Sequence, residues 1–334
     1  KRQALTMCVG APLLAAVTSR VDRRLLLVLS LLLLAVGHLA CAFAPDFATL
    51  MWIRPISVLG AAVFTPQAAA TLSLMIAPEE RPMALTSAFV GWSLASVLGM
   101  PIGNLLAHAL SWRASFAVVA ALGLFSALIV WRVIPAGLKV APLSLKSWGE
   151  VLGGTRLRWI LLATMVWCTG HFAVLGYITA ALRKGVEASP AMQAALMALM
   201  GVSGLIGNIA LSRWVTRIGA DRGARMSLGF ICAGLALWIV ALTWLQALWA
   251  VALAMTIWGL GNFAFNSSQQ ARLAQSAPTL ASASIALNSS SLYAGQAMGA
   301  ALGAALVVAL GYDALGPTAL IIMIVAMLFS WLAD

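Results

Sequence analysis

Apolar stretches of roughly twenty residues follow one another along almost the whole chain, separated by short runs of charge, proline or glycine. A helix needs about 20 apolar residues to cross the hydrocarbon core of a bilayer. With 63% hydrophobic and 9% charged residues and a mean hydropathy of +1.00, the chain carries too much apolar surface for a soluble core. The pattern predicts an all-α protein that crosses a membrane many times.

The breaks divide the chain into eleven predicted spanning segments and a linker, residues 135–157, which is more polar than the segments. The segments are 3–18, 25–43, 47–76, 84–109, 115–134, 159–182, 191–214, 226–245, 247–271, 280–310 and 314–332. Residues 1–134 are therefore predicted to form an N-terminal helical half, and residues 158–334 a C-terminal one.

A basic loop that occurs twice indicates that the two halves are related. Gly207 follows Gly10 by 197 positions, and Arg217 follows Arg20 by the same interval. The counterpart of segment 159–182 would fall before residue 1. We therefore expect two pseudo-symmetric six-helix halves, of which the first helix is missing from this sequence and helices two to twelve are present.

The distribution of basic residues predicts the orientation. Loops on one side hold Arg113, Arg183 and Lys184, whereas most other basic residues collect on the opposite side. Because positively charged loops stay in the cytoplasm, the basic side is predicted to be cytoplasmic. The net charge of +11 then reflects membrane orientation, and nucleic acid is not an expected partner.

The first basic loop carries a family resemblance. Residues 15–24 read Ala-Ala-Val-Thr-Ser-Arg-Val-Asp-Arg-Arg. They resemble the loop signature Gly-x-Leu-Ala-Asp-Arg-x-Gly-Arg-Arg of the major facilitator superfamily. The loop departs from that signature at Ser19, where the family has Asp, and at Asp22, where it has Gly.

Further motifs resemble particular branches of the same family. Gly91-x7-Gly99-Met-Pro101-Ile-Gly103 resembles the Gly-Pro signature of drug:proton antiporters. Trp258-Gly-Leu-Gly-Asn262 is similar to the bacterial arabinose-efflux-permease type. The resemblance implies a bacterial inner-membrane exporter that works as a monomer by alternating access, driven by protons and without a cofactor.

Two groups of residues are candidates for conformational change. The gating-loop group would stabilise the state closed to the cytoplasm and consists of Arg20, Asp22, Arg23, Arg24 and Arg217. The helix-seam group consists of Gly91, Gly99, Pro101, Gly103, Gly295 and Gly299. Small residues four apart let helices approach closely, so these residues serve static packing, a sliding seam between the halves, or both.

Arg54 and His171 are the candidates for transport and coupling. Arg54 is the one permanent charge expected well inside a segment, and no Asp or Glu lies within any predicted segment. Arg54 is therefore expected to be unpaired or to face water, unless it reaches the outer interface. His171 shares a helix face with Thr164 and Cys168, and is either a coupling group or a satisfied polar residue.

A further set of polar and aromatic residues recurs on one helix of the C-terminal half. The candidate cavity residues are Trp258, Asn262, Phe265, Asn266 and Gln269. Amides beside aromatic faces suit a neutral polar or amphipathic solute, whereas hydrogen bonding between helices is the competing explanation.

These patterns predict a secondary active transporter, with proton-coupled efflux of a drug, sugar or nucleoside by alternating access. A non-transporting membrane sensor or scaffold of the same fold is the first alternative. A membrane-embedded enzyme is the second, but its clustered catalytic side chains are not evident, and neither is a metal-ligand spacing. Apart from the lipid bilayer, the expected partners are the solute and protons.

Overall fold

A computed structural model describes residues 21–76, 109–138 and 145–334, together with isolated positions between 91 and 106. Every regular element in these residues is a helix. The chain divides into two compact units. Residues 21–76 and 109–138 belong to one, and residues 150–334 belong to the other.

In the N-terminal unit, helix α1 packs against α2, α3 and α4. The helices are α1 (Arg23–Ala42), α2 (Phe47–Ser57), α3 (Leu59–Met75) and α4 (Trp112–Val133). Asp22 and Asp46 cap α1 and α2, each accepting a hydrogen bond from a backbone amide three residues on.

The C-terminal unit is a bundle in which α10 contacts α8 and α9, while α6 contacts α11 and α12. A short helix, α5 (Leu145–Gly153), precedes the bundle. The bundle consists of α6 (Thr155–Leu175), α7 (Ile178–Val186), α8 (Pro190–Ile218), α9 (Ala220–Val240), α10 (Leu248–Ser276), α11 (Ala281–Leu310) and α12 (Leu315–Leu332). Within the described ranges, nine stretches are long and apolar enough to cross a membrane.

Several predicted boundaries require correction. Segment 47–76 is two helices, and Pro55, which cannot donate a backbone hydrogen bond, lies just before the break at Val58. Segment 159–182 is likewise divided, at Gly176 and Tyr177. The predicted linker contains α5, in which apolar residues recur at helical spacing and Val151 is buried.

The start of α9 also differs from the prediction. Asp221, Arg222 and Arg225 were predicted to lie in a loop, but they occupy the first two turns of α9. Gly219, with φ of +84°, makes the turn between α8 and α9, and an acid in the first turn suits the positive end of the helix dipole.

Glycine contacts show the internal repeat within each unit. A Cβ on Gly60 of α3 would collide with the carbonyl of Ser30 on α1. A Cβ on Gly261 of α10 would collide with the carbonyl of Ser227 on α9. Ser227 follows Ser30 by 197 positions, the interval that separates the two basic loops. The same pair of helices is thus in close contact in both units, although Gly261 follows Gly60 by 201 positions, about one helical turn more than the repeat interval.

The predicted glycine seam on α11 packs inside the C-terminal unit. Cβ atoms added to Gly295, Gly299 and Gly303 would collide with successive carbonyls along α6, those of Met165, Thr169 and Ala173. This contact within one unit agrees with the static-packing interpretation of Gly295 and Gly299. Gly91, Gly99 and Gly103 are helical, and an added Cβ there would meet no atom of the described chain within 4 Å. Pro101 lies outside the described residues.

Candidate transport site

Helices α6 and α10 bring aromatic rings together around His171. The ring of Trp167 stacks on His171 with centroids 5.9 Å apart, and Trp258 meets His171 edge to face at 5.4 Å. Phe265 lies 5.1 Å from Trp167. We call Trp167, His171, Trp258 and Phe265 the aromatic cluster. All four side chains are buried.

The aromatic cluster contains polar atoms that have no partner among the described residues. These atoms are Nδ1 of His171 and the indole Nε1 atoms of Trp167 and Trp258. One turn beyond Trp258, Oδ1 of Asn262 is also without a partner. A buried polar group without a hydrogen bond costs about 1–3 kcal/mol. The cluster therefore offers donors and acceptors that a solute or water can satisfy.

A hydrogen-bonded network lies beside the cluster on α6, α10 and α11. Thr164 Oγ1 donates to Asn288 Oδ1 at 2.9 Å, and Gln269 Nε2 donates to Thr164 Oγ1 at 3.1 Å. Asn288 Nδ2 lies 3.5 Å from Asn266 Oδ1. Gln269 is fully buried, and its amide is committed to bonds between helices. Asn262 and Asn266 are half-buried, which leaves them better placed to contact a solute.

The network continues to a buried arginine that sequence reasoning placed in a loop. Arg272 Nη1 donates to Gln269 Oε1 and to Ser330 Oγ, each at 3.0 Å. Its Nε lies 2.5 Å from Asp221, and its Nη2 lies 3.5 Å from Asp334. Arg272 is buried because α10 continues to Ser276, beyond the predicted end at residue 271. Arg54 is therefore not the only charged residue inside a described helix. The spacing of Gln269 and Arg272, three residues apart on one helix, is the sequence signal that could have indicated the buried arginine.

The predicted gating residues occupy different environments. Arg23 is buried and donates to Gln67 on α3, while Arg24 lies over the ring of Trp131 at 3.9 Å. Arg217 is exposed in the last turn of α8. Arg20 lies outside the described residues.

Asp22 joins α1 to the start of the linker. One carboxylate oxygen accepts from Leu25 N at 3.1 Å, and the other accepts from Gly137 N at 2.5 Å. The Leu25 amide is the main cause of a lowered pKa for Asp22. The positive charge of Arg24 also lowers the pKa of Asp22, although the backbone amides are the larger cause.

Arg54 has an aromatic partner. Its guanidinium lies 5.2 Å from the centroid of Phe116, and the residue is half-buried in α2. The guanidinium is therefore not unpaired, and the other alternative, that it faces water, stays a prediction. Phe116 also lies 6.0 Å from the ring of His38, so these three side chains form one group in the N-terminal unit.

Two surface cavities lie in the C-terminal unit. The larger, of about 730 Å³, is lined by Arg183 of α7, Gln193 of α8 and the turn between these helices, which includes Glu187. The smaller, of about 270 Å³, is lined by Asp221, Arg225 and five other residues at the charged end of the bundle. None of the aromatic cluster lines either cavity.

Comparison with known proteins finds relatives that match most of the chain. The family model described as Major Facilitator Superfamily matches residues 3–289. The chain is 28% identical over 312 residues to "Inner membrane transport protein YdhP" of Escherichia coli (strain K12), covering 93% of this chain and 79% of that protein. It is 26% identical over 318 residues to a Helicobacter pylori protein named "Probable sugar efflux transporter", covering 94% and 79%.

Solved structures show the same fold. The human organic anion transporter MFSD10 superposes with a TM-score of 0.74 at 15% identity, over 98% of this chain and 81% of that one. A bacterial homologue of the human lysosomal transporter Spinster gives 0.68 at 16% identity, over 99% and 87%. With the family match across most of the sequence, these findings show that the chain belongs to the major facilitator superfamily and is a multi-pass transport protein of the bacterial inner membrane.

Proposed function

We propose that the protein is a secondary active transporter that exports a small polar or amphipathic solute by alternating access, coupled to protons. The observation that supports this proposal is the aromatic cluster with its unpartnered polar atoms beside Asn262. Binding sites for small molecules are mostly apolar, with a few placed polar groups that fix the orientation of the ligand.

A sugar is the solute class that we favour. Because the aromatic cluster is buried, a sugar would reach it only when the helices move apart during alternating access. The faces of Trp167 and Trp258 would then pack against the C–H face of the sugar ring, while the unpartnered nitrogen and oxygen atoms bond its hydroxyls. A relative named as a sugar efflux transporter agrees with this class. Drugs and nucleosides, which also combine flat apolar faces with polar edges, are the other members of the proposed range.

His171 is the proposed coupling residue. In the described chain, acids lie at helix ends, in turns or in α5, so no carboxylate is available in the middle of a spanning helix. The ring of His171 lies inside the aromatic cluster, and its Nδ1 is free to gain a partner. A proton on His171 would add a charge to the candidate solute site. We therefore propose that protonation and solute occupancy influence each other there.

Solute binding to the purified full chain tests this site. A panel of a pentose, a hexose, a nucleoside and an amphipathic cation would be titrated by calorimetry. Trp258→Leu and Asn262→Leu should each weaken binding of the active solute by about 5- to 150-fold, because a lost hydrogen bond or aromatic face costs about 1–3 kcal/mol.

Trp244→Leu is the matched control, since Trp244 is 84% exposed and lies outside the aromatic cluster. It should bind like the wild type. Unchanged affinity in both Trp258→Leu and Asn262→Leu would overturn the placement of the site. Far-ultraviolet circular dichroism would show whether each variant remains folded.

A further inference from the structure

The same corner of each unit holds an arginine stacked on a tryptophan. In the N-terminal unit, Arg24 at the start of α1 lies 3.9 Å from the ring centroid of Trp131, near the end of α4. In the C-terminal unit, Arg225 at the start of α9 lies 4.1 Å from Trp331, near the end of α12. The two stacks therefore use corresponding pairs of helices.

The two arginines are not equivalent positions of the repeat. Arg24 is the second residue of α1, whereas Arg225 is the sixth residue of α9, about one turn further along. Both nevertheless reach a tryptophan in the last turn of the partner helix. An arginine–tryptophan stack therefore occurs at the corresponding end of both units, although the arginine occupies a different position of the repeat in each.

The stacks differ in the anion that accompanies them. Arg225 forms an ion pair with Asp334, which follows Trp331 by three residues. The residue that follows Trp131 by three is Ile134, which carries no charge. Among the described side chains, Arg24 forms no ion pair within 4 Å, and its Nε has no hydrogen-bond partner.

Asp22 attracts Arg24 through its charge, but the two side chains form no ion pair within 4 Å. Its two carboxylate oxygens accept hydrogen bonds from the backbone amides of Leu25 and Gly137. Arg132 adjoins Trp131 in the sequence and is exposed, so the corner carries additional positive charge. The Arg24 stack is therefore open to an anion from outside the protein.

The surroundings of the Arg24 stack are those of a membrane interface. Trp131 is 48% exposed, and Leu25 and Leu29 form an exposed apolar strip along the adjoining face of α1. The distribution of basic residues predicts that this end of α1 is cytoplasmic. Tryptophan prefers the headgroup level of a bilayer, and anionic lipids give the cytoplasmic leaflet a negative surface.

We propose that Arg24 and Trp131 bind the phosphate of an anionic phospholipid in the cytoplasmic leaflet. The planar guanidinium donates two parallel hydrogen bonds to phosphate oxygens, the indole face holds the guanidinium in place, and the acyl chains run along the Leu25 and Leu29 strip. In the C-terminal unit, the carboxylate of Asp334 takes the place of the lipid phosphate.

Native mass spectrometry of the purified full chain, with phosphatidylglycerol and phosphatidylcholine of matched acyl chains, tests the proposal. The wild type should retain phosphatidylglycerol in preference to phosphatidylcholine. Arg24→Gln should reduce that preference about fivefold, because that is the effect of one basic residue at an anionic membrane surface. Arg225→Gln, the matched control, should leave the preference unchanged. An unchanged preference in Arg24→Gln would overturn the proposal.

Ile134→Asp provides a second test that does not remove the stack. A carboxylate three residues after Trp131 should occupy the site, as Asp334 does after Trp331, and should abolish the preference for phosphatidylglycerol. Retention of the wild-type preference in a folded Ile134→Asp variant would contradict the proposal. Inorganic phosphate at equal concentration should not displace the lipid, and full displacement would identify a site for the free anion instead.

Discussion

Replacing Asp221 by Asn should destabilise the C-terminal unit, because Asp221 balances the fully buried Arg272. Removing one partner of a buried ion pair costs about 3–5 kcal/mol. The side chain of Asp221 is 32% exposed, and Asp334 remains 3.5 Å from Arg272. We therefore expect a smaller loss of unfolding free energy, about 2–3 kcal/mol.

Arg272→Met should cost less, about 1–2 kcal/mol, because it removes the buried charge together with its desolvation penalty. Gln269 and Ser330 would each lose a donor, which accounts for the remaining cost. In the double variant, the buried cation that needs Asp221 is absent. The double variant should therefore be close to Arg272→Met, with a coupling equal in magnitude to the cost of Asp221→Asn, about 2–3 kcal/mol.

Equilibrium unfolding in mixed micelles, followed by helical circular dichroism, measures these differences. Lys184→Gln breaks the exposed Lys184–Asp313 pair and should leave stability unchanged, which makes it the control. Additivity of the two single substitutions to within about 0.5 kcal/mol would refute the reasoning, since it would mean that Arg272 and Asp221 act independently.

Three further predictions concern packing and capping. Gly299→Ala should lower the unfolding free energy by about 1–3 kcal/mol, because the new Cβ collides with the backbone of α6. Gly229→Ala is the control in the same unfolding assay and should be tolerated, because its Cβ meets no described atom within 4 Å. Asp22→Asn should speed hydrogen exchange at the Gly137 amide, since an amide side chain replaces one of the two accepting oxygens. Because the pKa of Asp22 is lowered on folding, its contribution to stability is present above its unfolded pKa of about 3.9 and is lost as the pH falls through the folded value. Acid titration of wild type and Asp22→Asn should therefore show a difference in stability that disappears at the lowest pH.

The spanning helices could be predicted because the bilayer itself imposes their length and apolar character. Breaks inside apolar stretches were harder to locate, since neither Val58 nor Tyr177 interrupts the hydropathy. The start of α9 was misplaced because charged residues suggest a loop. Both charges are nevertheless matched in the fold, because Asp221 pairs with Arg272 of α10 and Arg225 pairs with Asp334.

The candidate site was only partly predictable for a related reason. In a membrane protein, lipid-facing and core-facing residues are both apolar, so helical periodicity does not show which face is buried. The spacing on α10 identified Trp258, Asn262 and Gln269 as one polar and aromatic face. It did not show that Gln269 bonds Thr164 and Arg272, because those contacts depend on how α6 and α10 pack.

Solute flux through proteoliposomes tests the central proposal most directly. With the full chain reconstituted and a pH gradient imposed, a labelled solute that binds the protein should accumulate against its own gradient, and a protonophore should abolish accumulation. His171→Gln should still exchange solute across the membrane but should no longer accumulate it. Accumulation by His171→Gln equal to that of the wild type would contradict the role of His171, and absence of any flux for a bound solute would contradict transport itself.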